Sequence, residues 1–399
     1  MPEKPLRILI GADTYPPDIN GAAQFGHRLA MGMRDRGHEV HVVAARTGAG
    51  PSYTIDIDGI TEHRLRSHHP PTHPYYRLCF PWEMQHRVGR ILDEVRPDVV
   101  HIQCHYIVGR MLAWAAQRRG IRLVATNHFM PENLNPFLPF PDWFLRGFAK
   151  LSWKDMEHVL GRAEVITTPT PIGARSMHEH GFAKPILPVS NGIDSAAYEL
   201  RPGERVEEPA HPTILFTGRL AVEKNLDVLI RALARLPKEL DARLRLAGTG
   251  EVEPALREVA RAEGVADRVE FLGYVSDEQL RREYLSATVF CQPGTAELQS
   301  LVTLEALSAS RPVVLADALA LPHLVRQGVN GYLFTPQDPE DLAAKLRLVL
   351  EATPQERAAM GRAGRELVRQ HDVHRTWDLF EALYRGEHPL PETAPDVAG

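Results

Sequence analysis

A chain of 399 residues, 44% hydrophobic and 24% charged, is long for one hydrophobic core and has the composition of an ordinary soluble protein of two domains. Its formal net charge of −5 argues against a general nucleic-acid binder. That charge is uneven: residues 1–200 hold 22 Lys/Arg, 20 Asp/Glu and 14 of the 19 histidines, so the halves are expected to face different partners.

Short apolar runs rich in β-branched residues alternate with helical patterns along the whole chain. LRILIGA (Leu6–Ala12) reads as a buried strand, followed by a loop and the helix-like AAQFGHRLAMGMRDRG. HEVHVVAA, PDVVHIQ, IRLVATNH and AEVITTPT are further strands with helices between them. A second series begins with PTILFTGRL and a helix from about Lys224, then ARLRLAGTG, RVEFLGYV, ATVFCQPG and RPVVLAD, again alternating with helices. Such alternation predicts parallel sheets with right-handed crossovers. The two series meet in ILPVSNGIDSAAYELRPGERVEEPAHP, whose Pro, Gly and charge content is that of a linker. The expected architecture is α/β: two doubly wound, Rossmann-like parallel-sheet domains facing across a cleft, with ligands at the C-terminal ends of the strands. The expected boundaries are 1–195 and 196–372, with a helix at about 373–386 packing back on the first domain and a disordered tail at 387–399. Cys79, Cys104 and Cys291 have no CxxC or zinc spacing, which suits reduced thiols. No run approaches the roughly 18 apolar residues needed to span a bilayer, and the N-terminus lacks a signal-peptide pattern. A cytoplasmic protein is expected, with the inner face of the membrane as its other resting place.

Four motifs carry chemistry. In TYPPDINGAAQ, Gly21 lets backbone approach a ligand at a helix N-terminus; a plain βα turn is the other reading, and no GxGxxG dinucleotide fingerprint is present. In FTGRLAVEKN, Arg219 and Lys224 follow the first strand of the second series, and a guanidinium fork with a point charge five residues on suits a diphosphate. Surface charges on a loop are the alternative. In GTAELQSLVTLEALSASRPVVLA, Glu297 falls in a loop and Glu305 inside an apolar run, on a helix starting near Ser300. Ionised carboxylates are rarely buried alone, and being acceptors only they suit the vicinal hydroxyls of a ribose or hexose. An N-cap with a salt bridge, or the two carboxylates of a glycosidase, remain open, although a glycosidase does not need the Arg/Lys pair. Finally, His128 closes IRLVATN at a strand end, where a structural hydrogen-bonder is as good a reading as a ligand contact.

Taken in order, the Gly loop, the strand-end His, GRLAVEKN and Glu-x7-Glu ahead of RPVVLAD and VRQGVNGYLF resemble glycosyltransferase family 4 over about residues 6 to 385. The resemblance implies a retaining, metal-independent hexosyltransferase of GT-B fold that uses a nucleoside-diphosphate sugar (UDP or GDP) as co-substrate and no other cofactor. It further implies that Arg219 and Lys224 hold the donor diphosphate, Glu305 the ribose, and Glu297 the transferred sugar. His128 would reach that sugar from the first domain, Gly21 would face the diphosphate, and Gly273, Tyr274 and Val275 would lie by the base. Gln299, Ser300 and Leu301 complete the expected donor contacts. Ala22 and Ser300 stand where such enzymes often carry Gly; the first tightens the approach there, and the second bears on the details of sugar contact.

Two patterns look like metal sites and are read otherwise. Asp56 to Asp58 imitates a DxD motif but sits beside Gly59 in an expected hairpin, and SHHPPTHPYY (Ser67–Tyr76) has clustered histidines without ligand spacing. The acceptor is less legible. PFLPFPDWFLRGFAKLSWKDMEHVL carries Trp143, Phe144, Phe148, Leu151 and Trp153, with Arg146, Lys150 and Lys154 on one helical face, which fits core packing or an anionic bilayer. Glu297-Leu298-Gln299 is similar to the Glu-x-Gln of family members that glycosylate diacylglycerol, so a lipid acceptor stands beside a soluble sugar or natural product. A non-catalytic sugar-nucleotide sensor on the same fold and a sugar epimerase are the rival functions.

Overall fold

The computed structural model describes residues 4–18, 20–69, 77–131, 140–206 and 209–387. The chain splits into two compact units, Met1–Ser190 with Arg375–Gly399, and Asn191–His374.

The first unit runs β1 (Arg7–Ala12), α1 (Gly21–Asp35), β2 (Glu39–Ala45), β3 (Tyr53–Ile57), β4 (Ile60–Leu65), α2 (Pro81–Val95), β5 (Val99–Ile102), α3 (Ile107–Arg118), β6 (Arg122–Thr126), α4 (Asp142–Leu160), β7 (Val165–Thr168), α5 (Pro171–Glu179) and β8 (Ile186–Pro188). The second continues with β9 (Thr213–Thr217), α6 (Leu226–Arg235), β10 (Arg243–Ala247), α7 (Glu253–Ala262), β11 (Val269–Gly273), α8 (Asp277–Ser286), β12 (Val289–Gln292), α9 (Leu301–Ser308), β13 (Val313–Ala316), β14 (Gly331–Phe334), α10 (Pro339–Leu350) and α11 (Pro354–Val368). The last helix, α12 (Val373–Arg385), returns to the first unit.

Unit 1 holds an eight-stranded sheet of order β3-β4-β2-β1-β5-β6-β7-β8, parallel except for the β3–β4 hairpin. Its central strands are covered on both faces, which is why they read as continuous apolar runs rather than alternating ones. Asp58 and Gly59, both at positive φ, turn the hairpin, and Asp56 accepts the Gly59 N–H at 3.1 Å. The Asp56–Asp58 pattern is therefore hairpin chemistry. Helix α12 docks against α1 where Gly32 has no side chain: a Cβ there would lie 2.2 Å from the Trp377 ring. The same helix sends Tyr384 to a buried polar chain, its hydroxyl 2.7 Å from His101 Nδ1, with His101 Nε2 2.7 Å from Thr126 and Thr126 2.6 Å from Thr167. Burial pushes the His101 imidazole down to about 3, so it stays neutral and can bond on both nitrogens.

Unit 2 holds a fully parallel six-stranded sheet of order β11-β10-β9-β12-β13-β14. Helices α8, α10 and α11 open on side-chain caps: Ser276 and Thr353 form capping boxes with Gln279 and Glu356, and Asp338 accepts from two backbone N–H groups. In two places the structure departs from the expected elements. The linker segment contributes β8, a three-residue edge strand too short, and too close to Pro188, to stand out. Helix α6 does not start at Lys224. Val222–Lys224 form a single 3₁₀ turn, Asn225 takes a left-handed conformation, and the helix begins at Leu226. The tail from residue 388, most of the histidine-rich loop (70–76) and residues 132–139 ahead of α4 lie outside the described residues.

Candidate active site

Parallel strands carry their following loops to one edge, so each unit gathers chemistry at the C-terminal ends of its sheet. In unit 2, Gly218 and Gly248 directly follow β9 and β10 and Gly273 ends β11, all at positive φ. The Gly218 N–H donates to the Ala247 carbonyl and the Gly248 N–H to the Gly273 carbonyl, each at 2.9 Å. Backbone packs on backbone here: a Cβ on Gly248 would fall 1.9 Å from the Gly218 oxygen, and one on Gly250 would fall 2.0 Å from the Leu220 oxygen. These glycines set the position of the next residue, Arg219.

Arg219 donates through Nη2 to Glu223 Oε1 at 2.5 Å, and its Nη1 lies 3.8 Å from Glu251. Lys224 donates to Glu297. The loops that carry them are stitched together, because Asn225 Nδ2 donates to the Pro293 carbonyl at 3.3 Å and to Thr295 at 3.4 Å. Sequence reading put Arg219 and Lys224 beside Glu297, and the structure brings Lys224 and Glu297 into direct contact. It missed Glu223 and Glu251, which pair with the arginine. Both cations thus rest on carboxylates and are held in place, while staying partly exposed.

Glu305, one turn into α9, is buried, and its Oε2 accepts the Tyr284 hydroxyl at 2.9 Å. Tyr284, having given its proton, accepts from Thr217 at 2.5 Å. This chain of strand-end threonine, buried phenol and carboxylate explains how an acidic group is tolerated inside an apolar helix. Neither Tyr284 nor Thr217 was legible as a site residue, since they stand 21 and 67 or more positions from their partners.

The remaining donor-side residues divide. Ser300 is the N-cap of α9, receiving the Thr303 N–H at 3.4 Å and the Thr303 hydroxyl at 2.8 Å, so its side chain is engaged within the helix. Leu301 is the first helical residue and is buried. Gln299 turns its side-chain oxygen to the Asn191 N–H at 2.8 Å, tying the Glu297 loop to the start of the unit. The crossover itself is paired: Ile193 N–H donates to the His371 carbonyl at 2.8 Å and Val373 N–H to Ile193 at 3.2 Å. Tyr274 is 77% exposed just past β11, next to the half-buried Val275.

In unit 1 the matching edge holds Gly21, His128 and two residues the sequence reading did not single out. Gly21 opens α1 behind its N-cap Asn20, and a side chain there would project into open space. His128 packs its ring 4.7 Å from Phe25, and its buried Nε2 has no hydrogen-bond partner among the described residues. Burial pushes that imidazole down to about 3, so it is neutral. On adjacent strands, Asp13 follows β1 and Gln103 follows β5. Asp13 caps α3 by accepting from Val108 at 3.0 Å and Gly109 at 3.4 Å, and burial raises its carboxyl to about 6. Both side-chain polar atoms of Gln103 are buried without partners among the described residues. A polar residue directly after a buried strand is the signal that marks Asp13 and Gln103, while His128 stands one position further on, behind Asn127.

Comparison with known proteins agrees with this geometry. The pattern described as Glycosyltransferase Family 4 matches residues 19–197, and that of Glycosyl transferases group 1 matches residues 202–367. A D-inositol 3-phosphate glycosyltransferase of Mycolicibacterium smegmatis is 32% identical over 320 residues, covering 74% of this chain and 70% of that one. This chain belongs to glycosyltransferase family 4. Another relative of this glycosyltransferase is the sulfoquinovosyl transferase SQD2 of Arabidopsis thaliana, 25% identical over 92% of this chain and 71% of that one. Among solved structures, Anabaena HepE in complex with UDP-glucose superposes with a TM-score of 0.76 at 20% identity, covering 96% of this chain and 100% of that one. The family 4 glycosyltransferase therefore has the GT-B fold, built here from the two parallel-sheet units.

Proposed function

We propose that this glycosyltransferase moves a hexose from a nucleoside-diphosphate sugar, UDP- or GDP-linked, to an acceptor hydroxyl with retention at the anomeric carbon and without a metal. The observation that carries the reading is the Lys224–Glu297 pair beside Arg219 at the C-terminal edge of the unit 2 sheet. An ammonium and a guanidinium there suit the two phosphates of a donor, and Glu297 suits the hydroxyls of the sugar next to them. Pairing each cation with a carboxylate lowers the pull on a bare phosphate, so a ligand offering both phosphate and hydroxyls fits better than phosphate alone. Glu305, fixed by Tyr284, takes the ribose hydroxyls, and Gly273, Tyr274 and Val275 take the base. His128 serves as a neutral hydrogen-bonding group for the sugar, a role its unpartnered Nε2 supports.

In the reaction the bond from the anomeric carbon to the diphosphate oxygen breaks, and a bond to the acceptor oxygen forms on the same face. The acceptor proton passes to the departing phosphate oxygen. Charge grows on that diphosphate, and fixed cations already in place stabilise it without reorganisation, which is the role a metal would otherwise fill. A cytoplasmic setting suits the three free thiols. The Mycolicibacterium relative suggests D-inositol 3-phosphate as a probe for the acceptor, and Glu297-Leu298-Gln299 suggests diacylglycerol in detergent micelles. Incubation with UDP-glucose or GDP-mannose should release the nucleoside diphosphate in step with glycoside, and proton NMR should show the product keeping the donor's anomeric configuration. An inverted anomer would overturn the retaining mechanism; epimerised donor with no nucleoside diphosphate released would overturn the transfer itself.

A further inference from the structure

Helix α4 carries two opposed faces. One buries Ala149, Trp153, Met156 and Leu160 against unit 1. The other leaves large apolar side chains in water: Trp143 is 69% and Leu151 68% exposed, with Phe140 just ahead of the helix and Phe144 exposed beside them. Phe140 packs on Phe144 with ring centroids 4.5 Å apart. At 3.6 residues per turn, Phe144 and Leu151 share one row on this outer face, and Arg146, Lys150 and Lys154, all exposed, form a second row that takes in Trp143. From Trp143 to Lys154 the helix has no acidic residue. Asp142 and Asp155 flank this stretch, and Asp155 is paired with Arg110 of α3.

The neighbouring helices extend the surface. Arg110–Asp155 joins α3 to α4, and Arg119–Asp93 joins α3 to α2, so the three lie side by side in one layer. In a parallel sheet each of these helices starts at the edge where the strands end. At that end of α2, Trp82 is 67% exposed and stacks on Phe80 with ring centroids 4.8 Å apart. Aromatic side chains thus stand out at two helix starts of one layer, with a basic row alongside. Core packing does not account for them, because the core side of α4 is already occupied by other residues.

We propose that this face of unit 1 docks on an anionic lipid bilayer, the aromatic and leucine side chains entering the interface and Arg146, Lys150 and Lys154 meeting the headgroup charge. Charge complementarity selects this occupant: a second copy of the chain would bring the same basic row against itself. Among the described residues no helix is long and apolar enough to cross a membrane, so the contact is peripheral and reversible. The surface does not depend on the donor chemistry; vesicle binding and glycosyl transfer fail or succeed separately.

The test is flotation of the full chain with vesicles of phosphatidylglycerol and phosphatidylcholine in equal parts, against vesicles of phosphatidylcholine alone, at low and at high salt. Wild-type protein is expected to float with the anionic vesicles and to be released by salt. The triple variant Arg146→Gln, Lys150→Gln, Lys154→Gln should lose roughly 10²-fold in partitioning, and Trp143→Ser with Leu151→Ser should lose at least about tenfold. Thermal melting matching the wild type shows that the variants fold, as expected for exposed positions. Absence of wild-type binding, equal binding to neutral vesicles, or unaltered binding by the charge variant would each overturn the proposal. So would a dimer in solution that Trp143→Ser dissociates, since another copy would then cover this face.

Discussion

Lys224→Ala is expected to lower kcat/KM for the nucleotide sugar by roughly 10²–10³, with most of the loss in kcat. The ammonium is anchored on Glu297 beside Arg219, at the edge where the departing diphosphate is proposed to lie. Its contribution grows as the phosphate gains charge, so removing it acts more on the transition state than on the bound donor. The substitution also strips the Glu297 carboxylate of its cation, and that half of the effect is structural. Melting temperature separates the two: a fall of a few degrees is compatible with the reading, whereas loss of the folded unit is not. Arg231→Ala provides the control, because Arg231 sits on α6 in an exposed i,i+4 pair with Asp227 and should leave turnover unchanged. Equal donor turnover by Lys224→Ala and wild type would favour a non-catalytic sensor.

Gly248→Ala is expected to be the most disruptive single methyl group at the site. Gly248 has φ +140°, and its new Cβ would meet the Gly218 carbonyl oxygen at 1.9 Å. Relief requires moving the end of β9, and Arg219 moves with it. Backbone strain of this kind costs about 1–3 kcal/mol, and the overlap adds to it, so a loss of roughly 3 kcal/mol is expected. For a unit of this size that corresponds to a fall of about 6–12 °C in Tm, read by calorimetry. Nucleotide affinity should fall further than stability, because the displaced loop carries the guanidinium. Gly21→Ala offers the contrast: its Cβ meets open space, so stability should hold within about 1 kcal/mol. A Gly248→Ala protein with wild-type melting and nucleotide affinity would show that the strand ends are not packed as described.

Legibility in the sequence followed the range of the interactions. β9, β12 and β13 are buried on both faces of a parallel sheet, so each stands out as a short run rich in apolar residues, whereas β10 alternates arginine with buried leucine. Where strand order is legible, so is the sheet edge to which Arg219, Lys224 and Glu297 belong. β8 was hidden because three residues ending in proline carry no periodicity, and the start of α6 was placed too early because the 3₁₀ turn at Val222–Lys224 has helical composition. The partners of Glu305 were out of reach for a different reason. Tyr284 looks like a core aromatic and Thr217 like a strand residue until the sheet brings them together. Gln299 was read as a ligand contact from its neighbours, yet its oxygen is held by Asn191, 108 positions away. The strand-end glycines were visible all along in FTG, LAGTG and FLG, and the repetition of Gly at that one place was the unused signal.

The central claim is that the C-terminal edge of the unit 2 sheet binds a nucleoside diphosphate through Arg219, Lys224 and Glu305. Thermal unfolding with UDP, GDP and ADP, each at millimolar concentration, tests it most directly. At 100 times its Kd, a cognate nucleotide should add about 2.7 kcal/mol, raising Tm by roughly 5–10 °C, and Lys224→Ala should lose most of that rise. No shift with any of the three nucleotides, or the same shift in the variant, would contradict the account.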